Sequence, residues 1–410
     1  MSVEKLKKVL SNELDDLKEK GTLKGKETIV SGVKRGDSEK GTRYFLLDYP
    51  GKEFIRLNSN SYLGMSIREE VIKAEEEAAE VYGAGPGAVR FISGTFKGHI
   101  DLENRLASFH GRESAMLFSS AYTTVMGTLA PLITDETIVI SDELNHNCII
   151  NAIRLSRPKN KSIYKHLNME GLEEEIKKTI GNCKRLIIVT DGIFSMRGDN
   201  APLNVIMDIA KKYDSSFEEN IIVVVDDSHG VGAFGKTGRG TEEYTGAKVD
   251  LLIATLGKGL GVNGGYVVGD SVITQYLREK APFYIYSNPI TPPEAAAALK
   301  ALEILDSPVG IKLLEHLRNV TNRLTDGLVN LGYETIMSEH PVVPLMVRDT
   351  KKTADLVAYL KENGVLATGL NYPVVPKGDE EIRFQVCADH TENDIDYVLG
   401  VLKEYKQSRG

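Results

Sequence analysis

A single lysine stands between two glycines, Gly257-Lys258-Gly259, directly after the apolar run Leu251-Leu-Ile-Ala-Thr255. A run this apolar reads as a buried strand, and the glycine-rich loop at its end presents one amine on a flexible tether. A solvated loop cation is one use of such an amine. The other is a Schiff-base lysine, which needs a tether that swings and flanking glycines that leave room for a bulky ring. A second strand pattern, Ile221-Ile-Val-Val-Val-Asp-Asp-Ser-His229, ends in an acid and a histidine. An Asp at the C-terminal end of one parallel strand and a Lys after the next converge at the sheet edge where open α/β folds bind ligands. Asp226 with Lys258 is the pairing that pyridoxal phosphate requires, an acid for the ring nitrogen and an amine for the aldehyde.

The elements that must position this pair alternate through the middle of the chain. Helix candidates at 98–110, 121–130, 147–155, 169–179 and 202–213 alternate with apolar strand candidates at 115–118, 137–141, 185–190, 221–226, 250–254 and 264–269. That alternation predicts an α/β domain with a mostly parallel central sheet flanked by helices. Upstream, Val3, Leu6, Val9, Leu10, Leu14 and Leu17 recur every three or four residues, giving an amphipathic opening helix that Gly21 could stop. Residues 22–42 read as an irregular arm, followed by strand candidates at Tyr44 to Asp48 and Phe54 to Leu57 and a helix near 68–82. Gly83 to Gly94 is a glycine-dense loop. Pro282 and Asn288-Pro-Ile-Thr-Pro-Pro293 break the pattern, and Glu294 restarts it as a helix. A smaller α+β C-terminal lobe follows, with a helix near 310–330, strands near 343–348 and 381–386, and a last helix from Glu392. The expected division is 1–58 for the helix and arm, 59–287 for the large domain and 288–410 for the small one.

The chain has 410 residues, enough to bury more than one core, and its 41% hydrophobic and 26% charged fractions are ordinary for a globular protein. A net charge of -8 with no basic stripe argues against a sequence-independent grip on nucleic acid. Cys148, Cys183 and Cys387 are far apart, so neither a disulfide framework nor a metal site is suggested. The charged opening and the lack of a long apolar run argue against secretion and membrane spanning, and the expected location is cytoplasmic.

Two nucleotide-binding motifs match in letters only. Gly230-Val-Gly-Ala-Phe-Gly-Lys-Thr237 satisfies the phosphate-loop pattern, the rival reading as a nucleotide triphosphatase. That loop needs a helix beginning at its Lys-Thr, and Gly238 and Gly240 forbid one. Gly259-Leu-Gly-Val-Asn-Gly264 fits G-x-G-x-x-G, but a strand follows it instead of a helix.

Several longer runs add specificity: Tyr62-Leu-Gly, Val89-Arg-Phe-Ile-Ser-Gly-Thr, Asn145-His, Thr190-Asp-Gly-Ile-Phe-Ser-Met, Val225-Asp-Asp-Ser-His-Gly, Thr255-Leu-Gly-Lys, Tyr372-Pro-Val-Val-Pro-Lys-Gly and Ile382-Arg. In this order the chain resembles the α-oxoamine synthases, fold-type I pyridoxal phosphate enzymes that join an amino acid to an acyl-CoA. The resemblance runs from the first helix to the last and implies these roles. Lys258 holds the cofactor and then removes a Cα proton as general base. Asp226 keeps the ring nitrogen protonated, and His229 bonds the ring's phenolic oxygen. His146 stacks on the ring. Ser120, Ala121 and Tyr122 at a helix start, with the Thr255 hydroxyl, cradle the phosphate. Arg383, assisted by Asn60 and Ser195, pairs with the substrate carboxylate. Ser287 and Asn288 reach a neighbouring subunit's phosphate, which implies a homodimer with shared sites.

The chain departs from the family pattern at Arg197, where an acid is usual, and at Asn147, where alanine is usual. The loop after Lys258 is also one residue shorter. Within the family, the runs at 89–95 and 372–378 look most like glycine C-acetyltransferase, so glycine with acetyl-CoA is the expected substrate pair. The 8-amino-7-oxononanoate synthase and serine palmitoyltransferase branches are the alternatives.

Overall fold

The computed structural model describes residues 3–20, 22–23, 26–37, 39–372 and 374–409. Its centre is a seven-stranded sheet in the order Ser114–Phe118, Gly265–Gly269, Leu251–Thr255, Ile221–Asp226, Arg185–Asp191, Thr137–Asp142 and Asn160–Tyr164. Gly265–Gly269 runs antiparallel to both neighbours, and the remaining pairs are parallel. The strands read as continuous apolar runs because helices cover both faces. Ile188, Val223 and Leu252 point into one core, whereas Ile187, Val224 and Ile253 point into the other.

All six expected strands and the five flanking helices are present, each with boundaries within two residues of the sequence reading. The seventh strand, Asn160–Tyr164, escaped that reading. It lies at the sheet edge, where only Tyr164 is buried, so its polar residues carry no apolar signal. The arm expected to be irregular at 22–42 also contains a strand, Val30–Lys34, paired antiparallel with Arg43–Leu46. Its side chains are nearly all exposed, which explains why hydrophobic patterning missed it. Arg43–Leu46 pairs in turn with Tyr49–Arg56, and Val365–Leu366 from far along the chain joins that strand in parallel. The opening helix runs Glu4–Glu19 with no buried residue. The Gly21 stop expected after it lies outside the described residues.

Pro282 does not merely break structure: it starts a short helix, Pro282–Ile285, where a missing N–H costs nothing. The next helix begins at Pro292, two residues before the expected Glu294. Glu294 instead completes a capping box, its backbone N–H bonding the Thr291 hydroxyl and its carboxylate accepting from the Thr291 N–H. In the C-terminal part, helices Pro308–Asn330, Thr350–Glu362 and Glu392–Arg409 accompany an antiparallel sheet ordered Glu334–Thr335, Val342–Met346, Glu381–Gln385, Thr368–Leu370. Period-two alternation along Glu381–Gln385 sends Ile382 and Phe384 into the core. Glu381, Arg383 and Gln385 therefore share the opposite face, which meets Ser195, in the loop after Arg185–Asp191, and Asn60, in the segment after Tyr49–Arg56.

Candidate active site

Asp226 is the last residue of its strand, with Asp191 and Ile253 as register partners on either side. Lys258 follows three residues after Thr255 ends the next strand. The lysine loop is closed by the Leu256 amide donating to Gly264 (3.0 Å) and the Val262 amide donating to Leu256 (2.9 Å). The Thr255 hydroxyl accepts from the Gly257 amide at 3.0 Å and donates to the Gly264 carbonyl at 3.2 Å. Glycine at 259 serves a different purpose from the one expected. A Cβ there would lie 2.7 Å from Gly232 Cα and from the Val231 carbonyl oxygen, so Gly259 is fixed by backbone packing and not by room for a ring. The phosphate-loop lookalike at 230–237 is this packing partner. Gly238 and Gly240 adopt φ of 77° and 84°, and a helix starts only at Thr241.

One cavity gathers much of the expected constellation. Lys258, Asp226, His229 and His146 line it, together with Ser195 and the helix-start residues Ala121 and Tyr122. Ser120 caps that helix, its Oγ accepting from the Thr123 amide at 3.2 Å. The helix start is drawn tight to the sheet at Gly265, where a Cβ would lie 2.6 Å from the Ala121 nitrogen. Arg383 and Asn60 do not line this cavity. Arg383 reaches its wall by donating from Nη1 to the Ser195 carbonyl at 3.0 Å, and Asn60 Oδ1 accepts from Gln385 Nε2. Arg383 is no solvated face: its Nε is buried without a partner in the protein. Ser287 and Asn288 are outside the cavity, on the partly exposed segment after Pro282–Ile285.

Burial dominates the electrostatics. It lowers the proton affinity of the Lys258 amine, and the Asp226 and Asp191 charges only partly offset this. His229 is driven well below the usual imidazole range, first by burial and then by Lys258, His340 and Arg383. Its Nδ1 lies 2.7 Å from the Tyr62 hydroxyl, and its carbonyl accepts from His340 Nε2 at 2.9 Å. With Tyr62 donating to Nδ1, the neutral ring carries its proton on Nε2. His146 is lowered too, by burial. The Asp226 carboxylate accepts from the Ser228 amide at 3.1 Å and touches the Cys148 thiol at 3.7 Å.

Sequence reasoning assigned no role to Asp191, Cys148, Tyr62, His340 or Gln385. Asp191 carried the clearest signal, an acid ending a buried strand just as Asp226 does. Its Oδ2 accepts from the His146 amide at 2.9 Å, and its own amide donates to Asn145 Oδ1 at 2.9 Å. Cys148 Sγ lies 2.8 Å from His146 Nδ1, which also accepts from the Cys148 amide at 3.2 Å, so Cys148 fixes that imidazole. A flat ring bearing a phosphate, a basic nitrogen and an aldehyde fits this donor set: free amides at a helix start, a buried carboxylate and a buried amine.

Relatives agree with that fit. Residues 52–402 match the family described as aminotransferase class I and II. The chain is 38% identical over 397 residues to 8-amino-7-oxononanoate synthase 1 of Bacillus velezensis, covering 96% of each protein. It is 36% identical to the 8-amino-7-oxononanoate synthase of Thermosipho melanesiensis, covering 95% of each. A serine palmitoyltransferase structure solved with pyridoxal phosphate superposes with a TM-score of 0.88 at 26% identity, over 100% of this chain and 99% of that one. The chain belongs to the aminotransferase class I and II family and, within it, to the pyridoxal phosphate-dependent α-oxoamine synthases.

Proposed function

We propose that this enzyme joins alanine to a seven-carbon dicarboxylic acyl-CoA, with loss of carbon dioxide, as an 8-amino-7-oxononanoate synthase. The observation that carries this reading is full-length similarity at 36–38% identity to proteins of that name. The product's name fixes the halves: alanine supplies the amine-bearing carbon and its methyl, and the acyl group supplies the ketone and the distant carboxylate. Glycine with acetyl-CoA, expected from two motif runs, has no such support. One of those runs has a structural explanation instead. Arg90 pairs with buried Glu103 at 3.2 Å, and a Cβ on Gly94 would lie 1.9 Å from the Ala88 carbonyl oxygen. The run therefore reflects a tight turn and not an acyl group.

When bound, pyridoxal phosphate delocalises the electron pair that the amino acid's Cα–H or Cα–carboxylate bond leaves behind. The residues around it have separable tasks. Asp226, held by the Ser228 amide, would pair with the ring nitrogen. Ala121, Tyr122 and Ser120 at the helix start, with the Thr255 hydroxyl, take the phosphate. His146 would stack on the ring, and His229 would offer Nε2–H to its phenolic oxygen. Lys258 would hold the aldehyde carbon and, once free with its lowered proton affinity, would take the Cα proton. Arg383 receives the substrate carboxylate, flanked by Ser195 and Asn60. We place the enzyme in a homodimer, with Ser287 and Asn288 offered to the neighbouring subunit's phosphate site.

The test is CoA release by purified protein loaded with pyridoxal phosphate, given one amino acid and one acyl-CoA at a time. Alanine with heptanedioyl-CoA is expected to be fastest. A decisive preference for glycine with acetyl-CoA, or serine with palmitoyl-CoA, would move the protein to a sister branch; no release with any pair would discard the acyltransferase reading.

A further inference from the structure

A second cavity opens beside the one that holds Lys258, and Ser195 lines both. Most of its wall is apolar, from Phe194, Met196, Met346, Val375 and Pro376. Its polar wall carries Arg197, Asp379 and Glu381. Its volume is about 110 Å³. That is room for the far end of a medium acyl chain, since an apolar cavity of about 150 Å³ holds a benzene ring.

The polar groups are committed unequally. Asp379 already faces Arg348, 3.3 Å away. Arg197 uses only Nε, which donates to Asp199 Oδ2 at 2.8 Å, and its two terminal nitrogens bond no described residue. Glu381 is 2% exposed, and its Oε1 has no partner. Burial pushes the Glu381 carboxyl up to about 8 against the opposing Arg383 and Arg197 charges, so at neutral pH it keeps its proton and can donate. The free edge of this wall therefore presents N–H and O–H donors above a channel for methylenes.

We propose that this cavity is the distal acyl subsite, in which Arg197 and Glu381 recognise the terminal carboxylate of a dicarboxylic acyl-CoA. The inference rests on the acyltransferase reading above and assigns its chain selectivity to two residues. A monocarboxylic acyl chain of equal length fills the methylene channel but leaves the guanidinium edge and the carboxyl unpartnered, which costs binding. Arg197, where the family pattern usually has an acid, is thus a specificity residue in this chain.

The experiment compares kcat/KM for heptanedioyl-CoA and heptanoyl-CoA, with alanine fixed, in wild type, R197Q, R197K and E381Q. Wild type should prefer the dicarboxylic chain by about tenfold or more, the value of one hydrogen bond to a charged group. R197Q should bring the ratio close to one through a raised KM for heptanedioyl-CoA, R197K should keep part of it, and E381Q, which retains a donor, should keep most. A wild-type ratio near one overturns the proposal without any variant, as does an R197Q enzyme that keeps the wild-type ratio. Wild type that releases no CoA from either thioester, nor from acetyl- or palmitoyl-CoA, overturns the underlying function and the subsite with it.

Discussion

Asp191 and Asp226 stand side by side at the C-terminal ends of adjacent parallel strands, and both line the cavity that holds Lys258. Two carboxylates this close do not ionise independently. Burial first, and then the Asp226 charge, push Asp191 well above the ordinary carboxylate range. Asp191 is therefore the member of the pair that keeps a proton, while its Oδ2 holds the His146 amide.

This asymmetry has a measurable sign. Above its unfolded value of 3.8, Asp191 is ionised in the unfolded chain but still protonated in the folded one. Folding stability contributed by this group falls as pH rises through that value. Asp191→Asn removes the titration and keeps an acceptor for His146. The variant should gain stability relative to wild type at pH 7, and the gain should vanish below about pH 4. Thermal unfolding from pH 3.5 to 8 reads this directly; an equal destabilisation at every pH would show that the carboxyl has an obligatory structural role.

Lys258→Ala should lose the visible absorbance of bound pyridoxal phosphate together with turnover. The lost general base alone accounts for about 10² to 10⁴-fold. Retention of both signals would remove Lys258 from the chemistry.

What could be read from the chain follows from local patterning. Asp226 and Lys258 were legible because one ends a buried strand and the other follows three residues after the next strand ends at Thr255, and buried parallel strands leave a continuous apolar signature. Edge elements were not. Asn160–Tyr164 and Val30–Lys34 are exposed on most positions, and their few apolar residues, among them Val30, Val33 and Ile163, face solvent and form no continuous run. Helices Ser271–Lys280 and Thr350–Glu362 were also missed; each buries only a short stripe, Thr274 and Leu277 in one and Thr353, Leu356 and Leu360 in the other. Side-chain partnerships across the fold were invisible for another reason. Tyr62 meets His229 across 167 residues, and Arg383 meets the Ser195 carbonyl across 188, so no window of sequence contains both. Arg383 was legible only by resemblance, since its alternation with Ile382 and Phe384 matches an ordinary solvated strand face equally well.

His166 lies between Asp142 (3.1 Å from Nδ1) and Asp199 (3.2 Å from Nε2). Burial alone would lower its proton affinity, but the two hydrogen-bonded carboxylates outweigh burial and raise it to about 9. A folded value above the unfolded 6.5 contributes stability that is complete below about pH 6.5 and lost as pH climbs through about 9. His166→Gln should therefore destabilise the protein at pH 6 by something on the order of 3 kcal/mol, and by much less at pH 10. Denaturant titrations at the two pH values separate this from a pH-independent packing loss.

Gly259→Ala tests the backbone contact beneath the lysine. The new Cβ would sit 2.7 Å from Gly232 Cα, so one of the two loops must move. Overpacking of this kind costs about 1–3 kcal/mol. Because Lys258 is the adjacent residue, cofactor affinity should fall along with stability. Unchanged pyridoxal phosphate affinity in a destabilised variant would show that the 230–237 segment yields and the lysine loop does not.

The opening helix bears on assembly. Val3, Leu6, Val9, Leu10, Leu14 and Leu17 are 42–57% exposed, and no residue of Glu4–Glu19 is buried. Fully burying one such side chain is worth about 1.5–3 kcal/mol, so an isolated helix with this stripe on water is a poor resting state. A two-fold homodimer would let each subunit cover the other's stripe through one self-complementary surface. The wild-type protein should therefore sediment as a dimer, and Leu10→Glu with Leu14→Glu should shift it toward monomer at the same concentration. Turnover should fall with the dimer fraction if Ser287 and Asn288, which lie outside their own subunit's cavity, serve a neighbour's as proposed. A fully active monomer would refute the shared site.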